Sequence, residues 1–214
     1  MLALAVIAGT AMSQQAPNSA GLVTFTLDFP ESDPTHYSIA VDNTGHAIYE
    51  CTAKVPENSE EQTYRSEFNL SAVNRERIFE WAKRAKYFSG KIDSGNQKLA
   101  FTGWKILSYQ DGQRSFTARY NFSLLEPVRQ LTGLFQNMAG TLDYGRRLAY
   151  YHRYQKLALD EELKRMEMQA RNDELSEIQG VAPVLQEIVK DTSVINGVRA
   201  RAKALIEMGN TAGH

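Results

Sequence analysis

Residues 37–53 read YSIAVDNTGHAIYECTA. Apolar and polar side chains alternate on both sides of Asn43-Thr44-Gly45, as in two half-buried strands joined by a short turn. Gly45 stands where a tight turn needs positive φ, so the stretch predicts a β-hairpin. Alternation puts Cys51 on the face that carries Ala47, Tyr49 and Ala53. A free cysteine in that position behaves as a small buried hydrophobe. With one cysteine in 214 residues an internal disulfide is excluded. An unpaired thiol leaves a reactive role or an intermolecular bridge open.

Strand signals continue on both sides of this hairpin. In residues 22–29 Val23, Phe25, Leu27 and Phe29 share one face at period two, and in residues 64–70 Tyr64, Phe68 and Leu70 do the same. Ser71 can cap a helix over residues 71–88, where Ile78, Ala82, Ala85 and Phe88 recur at helical spacing and Gly90 follows as a stop. Two further alternating runs meet at Asp111-Gly112, a dipeptide suited to the centre of a type I′ turn. Phe116, Ala118, Tyr120 and Phe122 then face one side, with Arg114 and Arg119 on opposite faces.

From Pro127 the period changes to that of a helix. Pro127 suits a first helical turn, and Leu131, Leu134, Phe135, Met138 and Leu142 form an apolar stripe. Gly140 and Gly145 each cost about 1 kcal/mol relative to Ala, so a bend is expected there. Asp160-Glu161-Glu162 marks a fresh helix start, since acids favour a first turn. Gly180 and Pro183 punctuate, a short helix carries Val184, Leu185 and Ile188, and Asp191-Thr192-Ser193 offers a cap for a last helix closed by Gly209. Asp191, Val198, Arg199, Ala202 and Leu205 resemble one HEAT-type repeat; a stack needs at least three, so a capped helical hairpin is the expectation.

These signals define an α+β protein. An antiparallel sheet of five to seven strands over residues 21–123, with the helix at 71–88 inserted, precedes a helical region over residues 124–209 and a flexible tail over 210–214. Helices of the second half are expected to cover one sheet face, because several strands have one apolar side.

The first charged residue is Asp28. Before it stand an apolar run, MLALAVIAGTA, and a small, polar stretch, as in the apolar part and cleavage zone of a secretory signal peptide. Residues 1–20 are therefore read as signal and polar leader, with cleavage before Gln14. The run carries no basic residue in front of it, and at eleven residues it is shorter than the roughly 20 needed to span a bilayer. Cys51 lies far from the cleavage zone, which disfavours a lipid anchor. The expectation is a released soluble product, periplasmic or extracellular.

Residues 144–156, YGRRLAYYHRYQK, carry four cations, four tyrosines and no acid. Arginines interleaved with aromatic rings bind anionic polymers by charge and stacking. Export favours an anionic envelope polymer, or another envelope protein, over nucleic acid. Arg146, Arg147, Tyr150 and Arg153 are the candidate binding residues. The competing expectation is an amphipathic helix neutralised from within, because residues 160–177 hold seven acids against three bases. No HxxxH, HxH or cysteine pair suggests a metal site, and Asp28, Asp33 and Asp42 read as turn acids. Hydrolase and phosphate-loop motifs are absent, and no cofactor is implied.

The stretch YSIAVDNTGHAIYE is similar to the YSxxIxxDGxVxYxG hairpin of uncharacterised exported bacterial domains. Tyr37, Ser38, Ile39, Gly45, Ile48 and Tyr49 carry the likeness, while Thr44 replaces the aspartate and Glu50 the closing glycine. The resemblance implies export and a sheet-first layout. The functional expectation is an exported, non-catalytic binding or structural protein. An exported hydrolase is the alternative, and a cytosolic helical adaptor the third reading should the N-terminal run not be a signal.

Overall fold

The structure, a computed structural model, describes residues 21–56 and 60–212. The expected signal segment lies outside the described residues. Strands β1 (Leu22–Asp28), β2 (His36–Asp42), β3 (His46–Lys54), β4 (Glu61–Asn69), β5 (Trp104–Gln110) and β6 (Ser115–Tyr120) form one antiparallel sheet in the order β4-β3-β2-β1-β5-β6. The fold is α+β, as the change of period predicts. The first four strands form a meander, and the chain then crosses behind them to add β5 on the far side of β1.

Alternation decides which face is covered. Val23, Phe25, Leu27, Ile39, Val41, Tyr49 and Leu107 are buried beneath the helices. Thr24, Thr26, Ser38 and Arg119 lie on the other, more polar face, where Arg119 sits 4.0 Å over the Trp104 ring. The quoted hairpin forms with Gly45 at φ 94°, and Asp42 Oδ1 accepts from the Thr44 amide (2.8 Å) and hydroxyl (2.6 Å). At the second hairpin the Asp-Gly expectation is displaced. The Asp111 amide donates to the Arg114 carbonyl (2.8 Å), so Gly112 and Gln113 are the central pair. The Asp111 carboxylate holds the turn by accepting from the Gln113 (2.8 Å) and Arg114 (2.7 Å) amides, an Asx-type turn rather than type I′.

Helix α1 (Ala72–Arg84) starts with the Ser71 hydroxyl accepting from the Asn74 amide, as the sequence predicts, but ends before residue 88. Lys86, Tyr87 and Phe88 take left-handed φ values of 52°, 55° and 67°. Such conformations cost about 1–2 kcal/mol per residue. They are offset by tertiary contacts: Phe88 is buried, worth about 2 kcal/mol or more, and Tyr87 packs on Tyr109 and under Arg114. Packing therefore ends the helix ahead of Gly90.

Helix α2 (Glu126–Tyr154) crosses the sheet, and its Phe135 ring stacks on Phe25 at 5.3 Å. It runs unbroken through Gly140 and Gly145, where a bend is expected from sequence. Gly145 answers a close approach instead: a Cβ there would lie 2.5 Å from Val181 Cγ1. The break comes at Gln155, followed by α3 (Leu159–Arg171), with the expected acids in its first turn. Helices α4 (Ala182–Lys190) and α5 (Asn196–Ala212) form the hairpin, with Val198, Ala202 and Leu205 buried. Asp191 organises the turn before α5 by accepting from the Ser193 amide (2.9 Å). Gly209 does not close α5, which continues to Ala212. It lets the helix pass the 178–179 turn, where a Cβ would come 3.0 Å from the Gln179 amide nitrogen. The expected tail from residue 210 is thus helical as far as residue 212, and 213–214 lie outside the described residues.

One buried acid ties the halves together. Glu177, itself left-handed at φ 62°, accepts from the Ser71 amide (2.8 Å), the Ser71 hydroxyl (2.7 Å) and Asn74 Nδ2 (2.6 Å). A carboxylate there satisfies the orphan donors and dipole of the α1 N-terminus.

Candidate functional site

The last three turns of α2 carry the arginines and tyrosines picked out in the sequence, and their environments separate them into two groups. Arg146 and Arg147 turn inward. Arg146 Nε lies 2.8 Å from Asp143 Oδ1, and its Nη1 donates to the Lys54 carbonyl (2.8 Å). Arg147 pairs with the same Asp143 and with Glu162 of α3 (2.5 Å), its guanidinium 4.5 Å over the Tyr144 ring. Asp143 and Glu162 are each only 5 % exposed, so these pairs fasten α2 to α3 and to the end of β3. Glu162 belongs to the acidic stretch expected to neutralise the helix. Asp143 stands one residue ahead of the basic segment, and its i,i+3 and i,i+4 spacing to the two arginines is the sequence signal for it.

Tyr150, Arg153 and Tyr154 turn outward. Tyr150 and Tyr154 have ring centroids 5.1 Å apart, and Arg153 lies 5.3 Å over the Tyr154 ring. Tyr154 is 61 % exposed. Helical spacing stacks these side chains on one face, and the β3–β4 end rises beside them. Between the two lies a cleft of about 260 Å³ bordered by Val55, Tyr64, Arg146, Tyr150, Arg153 and Tyr154. No carboxylate lines it among the described residues. Three tyrosine rings and two guanidinium groups thus border one open depression.

Beneath this cleft β3 contributes Tyr49 and Cys51, both buried. Burial pushes the Cys51 thiol up, so the sulfur is neutral at ordinary pH. The Tyr49 hydroxyl is also raised, by burial first and by the neighbouring Cys51 thiol next.

The histidines and turn acids are dispersed. His152 Nε2 lies 2.9 Å from Asp191 Oδ2, which also receives Lys156 Nζ at 2.6 Å. That lysine first, and the Ser193 hydroxyl next, hold the Asp191 carboxyl far below its usual range. His36 pairs with Asp28, and His46 lies 3.5 Å from Glu67. Asp33 accepts from the Lys54 amide (3.0 Å), and Asp42 sits in the turn at the opposite end of β2. Among the described residues no three His, Cys, Asp or Glu side chains converge as a metal site would require.

Sequence reasoning passed over Lys105. It shares a strand face with Leu107 and Tyr109, and a lysine on an apolar face was the available signal. It is 5 % exposed and borders a second cavity, beside β6 and the start of α2.

No protein-family model matches this chain, and no curated protein matches it. No described helix is long and apolar enough to cross a membrane.

Proposed function

We propose that this chain is an exported, non-catalytic binding protein that holds an anionic envelope polymer in the cleft between the end of α2 and the β3–β4 corner. One observation carries the reading: Tyr150, Arg153 and Tyr154 project outward around a cleft lined by no carboxylate among the described residues, while Arg146 and Arg147 are engaged in structural ion pairs. Tyrosine rings offer flat faces for stacking, and an exposed guanidinium takes carboxylate, sulfate or phosphate groups. The formal charge of the chain is −1, so attraction to a polyanion has to come from a local surface. An N-terminal run of signal character and a single thiol kept away from solvent accord with an oxidising compartment.

Heparin chromatography tests the proposal. The native protein is expected to be retained in low salt and released as salt rises, because polyanion contacts release counterions. Neutral dextran should retain nothing. R153E, and separately Y150A/Y154A, should abolish retention while leaving the far-ultraviolet circular dichroism unchanged. Native protein that flows through heparin in low salt, or an R153E variant that elutes with the native chain, overturns the assignment.

A further inference from the structure

A second cavity, of about 440 Å³, opens where β5 and β6 meet the first turns of α2. Its size suits a small molecule rather than a polymer. Lys105 borders it from β5, Tyr120 from β6, Ser123 from the connector, and Arg129, Thr132 and Gly133 from α2. Among the described residues no carboxylate lines it.

The lysine is the unusual element. Its ammonium is surrounded by Thr102 Oγ1 (2.9 Å) and by the carbonyls of Asn121 (3.1 Å), Thr102 (3.2 Å) and Gly103 (3.3 Å). All four are uncharged oxygens that accept, so the charged form is solvated by dipoles yet has no counter-ion among the described residues. Burial accordingly draws its pKa down. Asp93, the acid on the neighbouring loop, spends its carboxylate on the amides of Gly95 (2.6 Å) and Asn121 (2.8 Å). A buried cation without a counter-ion is costly even when its N–H groups are hydrogen-bonded, and an anion in the adjoining cavity would supply the missing opposite charge.

The rest of the wall specifies the kind of anion. Arg129 stands at the exposed rim and spends Nη1 on the Leu124 carbonyl (2.6 Å), leaving its other donors for a ligand. Tyr120 and Thr132 share a 2.6 Å hydroxyl contact, and Thr132 also donates to the Val128 carbonyl (2.7 Å). Asn121 and Gln136 add amides. Gly133 leaves open space: a Cβ there would meet nothing within 4 Å. We propose that this cavity is a binding site for a small hydroxylated carboxylic acid. Its carboxylate lies between Lys105 and Arg129, and its hydroxyls face the Tyr120, Thr132 and Gln136 groups. The site is separate from the α2–β3–β4 cleft, and its occupancy does not depend on the polymer reading.

Thermal unfolding of the full chain tests this with D-glucuronate and D-gluconate as probes. D-glucose serves as the neutral counterpart, and inorganic phosphate as a bare oxyanion. At ligand concentrations near one hundred times Kd the acids should raise the midpoint by about 5 °C or more, and glucose should not. G133L fills the cavity from a position with free space, so it should fold and lose the shift. R129A should weaken binding about tenfold, and K105M should remove the preference for acid over neutral sugar. The proposal is overturned if neither acid shifts the native midpoint, if glucose or phosphate shifts it as much as the acids, or if G133L responds like the native chain. Loss of stability in K105M without any ligand effect in the native protein would assign Lys105 a purely structural role, as a clamp between residues 102–103 and 121.

Discussion

Two glycines in α2 should respond in opposite directions to the same substitution. At Gly133 an added Cβ meets nothing within 4 Å, so G133A gains the helix propensity of alanine, about 1 kcal/mol. At Gly145 the same methyl would stand 2.5 Å from Val181 Cγ1 and 3.2 Å from Val181 Cβ. Neither atom can rotate away cheaply, because Val181 is buried and begins the turn into α4. Overpacking of this kind costs about 1–3 kcal/mol, which exceeds the propensity gain at most of that range. The two variants are therefore expected to differ by about 2 kcal/mol, or some 4–8 °C in midpoint for a chain of this size. Urea unfolding of both variants measures the difference directly. V181A should relieve G145A, giving a coupling energy above about 1 kcal/mol in the double-mutant cycle. If G145A stabilises as much as G133A, α2 does not approach the 178–181 turn as described, and the account of the helical half fails.

Further expectations follow from the buried groups. R147E leaves Glu162 and Asp143 facing a like charge in a buried network, and should cost about 3–5 kcal/mol in urea unfolding; R153E, on the exposed face, should cost under about 0.5 kcal/mol. E177A strips the Ser71 and Asn74 donors of their acceptor and should cost about 2–3 kcal/mol, with Gln at the same position recovering part of it. Burial holds Tyr37, Tyr49 and Tyr120 far above 10, and burial with Glu162 raises Tyr144 to about 12. Above pH 10 the unfolded chain loses these protons and the native chain keeps them. Stability should then fall by up to about 1.4 kcal/mol per tyrosine for each pH unit, until the native groups titrate. Lys105, whose native pKa is lowered, contributes with the opposite sign and only softens this alkaline unfolding, which circular dichroism across pH 8–12 would follow.

Much of the fold was legible because strands and helices announce themselves by period. The hairpin at 37–53, the cap at Ser71, the switch at Pro127 and the acidic start of α3 all lie on local rules. What was not legible depends on contacts between distant segments. Gly145 and Gly209 read as a weak point and a stop, yet both are spaces left for the 178–181 turn, at Gly145 for the Val181 side chain and at Gly209 for the backbone of Gln179. The left-handed run at residues 86–88 has no local signature, since Tyr109 and Arg114 that hold it lie more than twenty residues on. The candidate site was legible as a composition, not as a geometry. A helical wheel groups Asp143, Arg146, Tyr150 and Arg153, but it cannot show the Lys54 carbonyl of β3 drawing Arg146 inward.

The location of polyanion contact tests the functional account most directly. Hydrogen exchange of the native chain, with and without heparin in low salt, reads it segment by segment. Slowed exchange is expected in residues 149–154 of α2 and in the adjoining 53–56 and 62–64, with no change across the open face of β1 and β5. Unchanged exchange at the end of α2, or protection concentrated on the Trp104–Arg119 side of the sheet, contradicts it.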